Sequence, residues 1–222
     1  MNTLQNEKRY LTVALTKGRL AKNALALFAR AGIHPEGIDD PHSRKLLFTD
    51  EEHAMRFFLA KGPDVPAYVA YGAADIGVTG LDTVLEEGLS VYEVLDLGFG
   101  KCRMCVCGPE SAGEKLSDTS LLRVATKYPA LARDYFYEKK HRNVEIIKLS
   151  GSMELSPIVG LSDVIVDIVE TGRTLKENGL CVLEDVMDLS ARLIVNEVSM
   201  KMEYERISTL IKALREVTSH AD

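Results

Sequence analysis

Apolar and polar positions follow two periods along this chain, with short β-branched runs giving way repeatedly to apolar residues spaced three and four apart. Tyr10–Leu15 reads as a first strand, and Leu20, Ala24, Leu27, Phe28 and Ala31 follow at helical spacing until Gly32. Short strands are expected at Lys45–Phe48 and Arg56–Leu59, then a helix from Pro63 to Tyr71, whose first turn tolerates Pro63 and Pro66. Ala74–Gly80 reads as a buried strand ending in a glycine turn, with a short helix at Leu81–Glu87. Val91–Leu97 and Lys101–Cys107 are extended, and Gly108–Ser120 is rich in turn residues. The alternation resumes with strands at Leu122–Thr126 and Val144–Leu149, a helix at Tyr128–Lys140, and a short helix at Glu154–Leu161. After one more strand and helix, Cys181–Met187 and Ala191–Val198 look extended, and Lys201–Thr218 is a closing amphipathic helix. This alternation predicts an α/β protein with a mostly parallel sheet covered by helices.

Two lobes are expected rather than one. A glycine-flanked crossing at Leu95–Lys101 and a return near Asp185–Leu193 make lobe one discontinuous, residues 1–97 and 188–222, with 98–187 inserted as lobe two. No linker is rich in Pro or Ser, which predicts a compact pair with a central cleft. Ligands of such sheets bind outside the carboxyl ends of the strands.

The stretch Ser162-Asp163-Val164-Ile165-Val166-Asp167-Ile168-Val169-Glu170-Thr171-Gly172-Arg173-Thr174-Leu175 carries the most chemistry. A strand, a small turn and a helix in that order make an anion site, because the first N–H groups of a helix lack partners. Thr171 and Thr174 add hydroxyls, Gly172 allows close backbone approach, and Asp167 can accept sugar hydroxyls or hold a metal ion. Together these point to a phosphorylated sugar; the same pattern also serves an ordinary βα corner with a capping threonine. A second basic turn, Leu15-Thr16-Lys17-Gly18-Arg19-Leu20, again joins a strand to a helix, and by itself also reads as a solvated turn. Two such turns in separate lobes suggest a cleft for one doubly phosphorylated ligand or two phosphorylated substrates. Ser150-Gly151-Ser152-Met153-Glu154 follows a strand as well, with Ser152 placed as a cap and Glu154 inside the helix, a pattern equally suited to a plain cap. Asp75 and Asp82 bracket Gly77–Gly80 at what is by default a structural corner. Arg103 is either an electrostatic helper at the cleft entrance or simply exposed.

Composition narrows the function classes. The 222 residues are 46% hydrophobic and 27% charged, ordinary for a soluble globular protein. A net charge of −6 argues against sequence-independent nucleic-acid binding. No run approaches a membrane span, and Met1–Arg9 has no apolar signal core, so a cytoplasmic home is expected. Cys102, Cys105 and Cys107 have a metal-like spacing, but residues three apart on a strand point to opposite faces, so structural thiols are expected.

With these residues assembled, the chain resembles the short form of ATP phosphoribosyltransferase, the family that opens histidine biosynthesis. The resemblance runs through Leu15–Leu20, Asp64–Val69, Gly72–Asp82, Gly98–Arg103, Gly151–Glu154 and Asp163–Leu175. It implies a two-lobed fold like that of type II periplasmic binding proteins, and transfer of the 5-phosphoribosyl group of phosphoribosyl pyrophosphate to nitrogen 1 of ATP. It implies Mg²⁺ on substrate phosphates, with no dedicated metal ligands. It also implies a regulatory subunit related to histidyl-tRNA synthetase in a hetero-octamer, with neither nucleic acid nor membrane as partner. Carried over by position, Lys17 and Arg19 are the catalytic cations. Asp167, Glu170, Thr171, Gly172, Arg173 and Thr174 bind phosphoribosyl pyrophosphate, with Arg173 standing where a small residue is common. Gly18, Asp75, Gly151, Ser152 and Glu154 are expected near ATP. The competing reading is a two-lobed sensor that binds a nucleotide or amino acid without chemistry.

Overall fold

In chain order the strands and helices are these. The computed structural model describes residues 9–40, 42–118 and 120–219, so most of the N-terminal stretch read above for a signal core lies outside the described residues. The chain opens with β1 (Leu11–Thr16), α1 (Arg19–Arg30), β2 (Phe48–Asp50), β3 (Met55–Ala60) and a 3₁₀ turn at Gly62–Asp64. It continues with α2 (Val65–Ala70), β4 (Ile76–Gly80), α3 (Leu81–Glu87) and β5 (Tyr92–Asp96). Next come β6 (Cys102–Gly108), α4 (Ala112–Ser117), β7 (Arg123–Thr126), α5 (Pro129–Arg133) and a π-helix at Asp134–Lys139. The last elements are β8 (Glu145–Lys148), α6 (Leu155–Ile158), β9 (Val164–Val169), α7 (Arg173–Glu177), β10 (Cys181–Leu189), β11 (Ala191–Val195), α8 (Glu197–Met202) and α9 (Tyr204–Ser219). These divide into one unit of residues up to Val84, Gly88–Gly100 and Ala191 onward, and a second of Leu85–Glu87 and Lys101–Ser190.

The first unit is built on a six-stranded sheet of order β2-β3-β1-β4-β11-β5. On one face Val13, Leu15, Phe57, Ile76 and Val78 pack against Ala24, Leu27 and Phe28 of α1 and Ile207, Leu210 and Leu214 of α9. Each such fully buried large side chain contributes about 1.5–3 kcal/mol. Phe28 and Phe57 meet edge to face, with ring centroids 5.3 Å apart. The other face carries Ala14, Ala60, Ile194 and the Val65 and Val69 of α2.

The second unit has a five-stranded sheet of order β10-β6-β9-β7-β8. Cys105, Cys107, Ala125, Ile165 and Val169 form one face and pack on Met153, Leu175 and Leu180. Cys105 and Cys107, two apart on β6, thus share the buried face, and burial pushes the Cys105 thiol up to about 12 and Cys107 higher still. Thiols held protonated in this way are poor nucleophiles and metal ligands.

Both sheets are mixed, which corrects the expectation of a mostly parallel sheet. β1 is parallel to β3 and β4, but β2 is antiparallel to β3, and β11 to β4 and β5. In the second unit β7 is parallel to β8 and β9, whereas β6 is antiparallel to β9 and β10. Hydrophobic period marks a strand without giving its direction. Parallel neighbours need a crossover of a dozen residues or so, and only the strands flanked by helices have one.

Four further boundaries differ. The strand expected at Lys45–Phe48 lies at Phe48–Asp50, so Arg44 and Lys45 belong to the preceding loop. The turn-rich Gly108–Ser120 contains α4. The expected helix at Tyr128–Lys140 changes from α to π after Arg133, with the Lys140 amide reaching back five residues to the Tyr135 carbonyl at 3.1 Å. That wider turn buries the consecutive Tyr135 and Phe136, whose rings meet edge to face at 5.2 Å. The closing helix is two helices, because Glu203 breaks the helical dihedrals, and α8 begins within the stretch expected to be extended. Its start is fixed by Asn196, whose side-chain oxygen accepts from the Val198 and Ser199 amides at 3.0 and 2.9 Å.

Candidate functional site

β9 is buried through Val166, where its pairing with β7 ends, and is half-buried at Asp167 and Ile168 while its pairing with β6 continues to Val169. Glu170 and Thr171 follow, and Gly172 takes the left-handed conformation, φ 70° and ψ 8°, as the residue that starts α7. That conformation costs a side-chain-bearing residue about 1–2 kcal/mol, so glycine is the residue type the turn calls for. The result is a cavity of about 330 Å³ bounded by Asp167, Thr171, Gly172, Arg173, Thr174 and Glu154. Strand end, hydroxyls and first helical amides converge there on one small volume.

The loop leaves its donors available. The Arg173 amide reaches the Thr171 hydroxyl at 3.4 Å, the long limit of a hydrogen bond, which an anion would outcompete. Thr171 and Thr174 are exposed. Arg173 points along its own helix instead, donating from Nε to Glu177 Oε1 at 2.8 Å with both side chains largely exposed. Arg173 thus borders the cavity while its guanidinium is paired within α7.

Asp167 is held in place by the Ile168 amide, which donates to Oδ1 at 2.8 Å, leaving the second oxygen for a ligand hydroxyl. Burial raises its pKa above the ordinary 3.8, the neighbouring Glu154 adds to the rise, and Lys127 opposes it. Glu154 borders the same cavity, so the structure groups it with the strand-end loop. Ser152 does not cap α6: it sits at φ 54°, and the residue preceding the helix is Glu154, without a side-chain cap bond. Gly151 and Ser152 are exposed ahead of the buried Met153.

The basic turn of the first unit has the anticipated form. Lys17 and Arg19 are exposed on either side of Gly18, which adopts φ 92° at the start of the twelve-residue α1. The Lys17 amide is anchored to the Ala60 carbonyl at 2.8 Å, tying the end of β1 to that of β3. Asp75 lies at the other end of this sheet, just before β4. There it accepts from the Thr12 amide at 2.8 Å, the Ser199 hydroxyl at 2.6 Å and Arg9 at 3.0 Å. The structure does not bring Asp75 to the basic turn. Asp75→Asn, which removes one accepting oxygen, is expected to lower unfolding free energy by about 1–2 kcal/mol in urea titrations, with KM for both substrates unchanged.

Two other features stand apart from this chemistry. A larger hollow of about 500 Å³, lined by Leu11, Ile33, Met55 and Leu210 among others, lies at the amino ends of β1 and β3 and is mainly apolar. Arg103, read as either a helper or simply exposed, pairs with Asp185 at 2.7 Å. The residue that sequence reading passed over is Lys127, exposed at the carboxyl end of β7 beside β9. Its only sequence signal is its place directly after a buried strand.

Residues 61–216 match the family model described as HisG: ATP phosphoribosyltransferase. An ATP phosphoribosyltransferase of Lachnoclostridium phytofermentans is 66% identical over 213 residues, 96% of this chain and 99% of the relative. One from Lachnospira eligens is 65% identical over 93% of this chain and 96% of its own length. Among solved structures, a chain of the ATP phosphoribosyl transferase (HisG:HisZ) complex from Thermotoga maritima superimposes with a TM-score of 0.80. It is 35% identical, covering 95% of this chain and 99% of that one. No described helix is long and apolar enough to cross a membrane.

Proposed function

Because the chain belongs to the ATP phosphoribosyltransferase family, we propose that the cavity at the end of β9 seats the 5-phosphoribosyl group of phosphoribosyl pyrophosphate. The enzyme transfers that group to ATP, releasing diphosphate, in the first step of histidine biosynthesis. The observation that supports this seat is the strand-end loop itself. Thr171, Gly172, Arg173 and Thr174 offer amides and hydroxyls to the 5-phosphate, while Asp167 offers an oxygen to the ribose. Glu170 completes the loop. Glu154, sharing the cavity, is assigned to the ribose side; Gly151 and Ser152 are left as candidates for the nucleotide.

The chemistry follows from the substrates. Nitrogen 1 of adenine carries a free lone pair, which forms the new bond to the anomeric carbon. The carbon–oxygen bond to diphosphate breaks, and its electron pair leaves with the diphosphate. No strong base is needed, so positioning and electrostatic stabilisation dominate, with inversion at carbon and no covalent enzyme intermediate. Lys17 and Arg19, with the Gly18 amide at the start of α1, are assigned to substrate polyphosphates. Asp167 and Glu154, which line the same cavity, would hold a divalent ion such as Mg²⁺, a hard cation that takes oxygen ligands. Mg²⁺ held by these residues would supply positive charge to offset that of the diphosphate.

The two mixed α/β units are read as a fold like that of type II periplasmic binding proteins. A HisZ-type regulatory subunit is its partner by relation to the Thermotoga maritima complex, and a cytoplasmic hetero-octamer is the proposed assembly. Asp75 is read as structural.

Thr174→Val tests the seat by keeping shape and deleting one hydroxyl. Affinity for phosphoribosyl pyrophosphate is expected to fall about tenfold in calorimetric titration, since a bond to a charged group is lost. Unchanged affinity would place the phosphate elsewhere.

A further inference from the structure

On the carboxyl edge of the second sheet, β7 lies parallel and next to β9, with Thr126 paired to Val166. One residue on, Lys127 therefore falls beside Asp167. Side chains alternate along β9, so Asp167 shares a face with Ile165; Lys127 lies in the bend just past the end of β7, close enough to Asp167 for its charge to act on that carboxyl. Ala125 and Ile165 belong to the cluster that packs on Met153 and Leu175, the face on which the cavity lies. Lys148, paired to Thr126 at the end of β8, points to the opposite face.

The other cations near this edge are already engaged. Arg103, paired across β6 to Val169, is bonded to Asp185 at 2.7 Å, and Arg173 to Glu177 at 2.8 Å. Lys127 makes no ion pair with the described residues; its ammonium lies 5.6 Å from the centre of the Tyr128 ring and is exposed. An exposed ammonium that, among the described residues, contacts only the Tyr128 ring and the field of Asp167 is poorly explained by stability, because exposed charges contribute little to folding.

We propose that Lys127 binds the diphosphate of phosphoribosyl pyrophosphate, a position that rests on the seating of the sugar given above. With the 5-phosphate in the loop after β9 and the ribose at Asp167, the anomeric end of the sugar must project to one flank of β9. The β6 flank presents an arginine whose charge is taken up by Asp185. The β7 flank presents Lys127, one strand spacing of about 4.8 Å away. There the ammonium offsets the negative charge of Asp167 and Glu154 against a polyanion, and stabilises the charge that grows as the carbon–oxygen bond breaks.

Calorimetric titration of the full chain with two probes, inorganic diphosphate and ribose 5-phosphate, separates the subsites. Lys127→Met is expected to weaken diphosphate about 10- to 30-fold and to leave ribose 5-phosphate within about twofold. Lys127→Arg should recover most of the loss, and Lys148→Met should change neither probe. Equal weakening of both probes would assign Lys127 to the 5-phosphate cradle or to the fold, and no change in either would remove it from the site; each overturns the proposal alone. Wild-type chain that fails to bind ribose 5-phosphate, or binds it undiminished after Thr174→Val, would overturn the seating of the sugar and this inference with it.

Discussion

Replacing Asp167 with asparagine is expected to lower kcat/KM for phosphoribosyl pyrophosphate about 100-fold, and at the same time to raise the Tm at neutral pH. The two effects share one cause. Burial disfavours the charged carboxylate, with Glu154 adding to it, so the folded-state pKa lies above the ordinary 3.8. The folded state then holds this proton more tightly than the unfolded chain does. Stability from the group is complete below about 3.8 and is lost as pH rises through the higher folded value. At neutral pH the protein therefore carries an ionised group that its surroundings resist, kept for its bonds to the ligand. Asparagine preserves the oxygen that receives the Ile168 amide and removes the charge. Melting curves of both proteins across pH provide the check: the variant should gain most at neutral pH and converge on the wild type in acid. A variant that melts lower at neutral pH would mean that the carboxylate stabilises the fold.

The strand and loop around Asp167 are legible in the sequence because their signals are local. Val164–Val169 is a β-branched run, and Thr171-Gly172-Arg173-Thr174 has the turn chemistry of a helix start. The same holds for β1 and the Lys17–Arg19 turn. Strand direction was not legible, since a run such as Cys102–Cys107 looks the same whichever way its neighbours run. Nor was the switch from α to π at Asp134, which depends on burying Tyr135 and Phe136 together. Asp75 misled as a candidate ligand because an acid beside a glycine turn fits two roles, and only Thr12, Ser199 and Arg9 around it reveal which. Lys127 was missed for the complementary reason. Nothing in Thr126-Lys127-Tyr128 marks a site, and its place beside Asp167 arises from sheet register, a property of two strands forty residues apart.

Gly172 gives the sharpest separation between the loop's shape and its chemistry. A β-carbon there would meet only Val169, at an ordinary 3.8 Å, so space permits a side chain and the backbone alone resists it. Valine at φ 70° is disfavoured by about 1–2 kcal/mol or more, as β-branched residues rarely adopt that region. Five-residue α7 is held to the turn by the Lys176 amide bonding to the Gly172 carbonyl at 3.1 Å, so relieving the strain rotates the amides that face the cavity. Gly172→Val is therefore expected to weaken ribose 5-phosphate about 100-fold in titration calorimetry, the loss of two or more charge-assisted bonds, while lowering Tm by only a few degrees. Asparagine tolerates the left-handed region far better than valine. Gly172→Asn should then regain most of the affinity although it adds a side chain of similar bulk. If asparagine and valine were equally damaging, bulk in the cavity would be the cause, and the left-handed turn would not be what positions the phosphate.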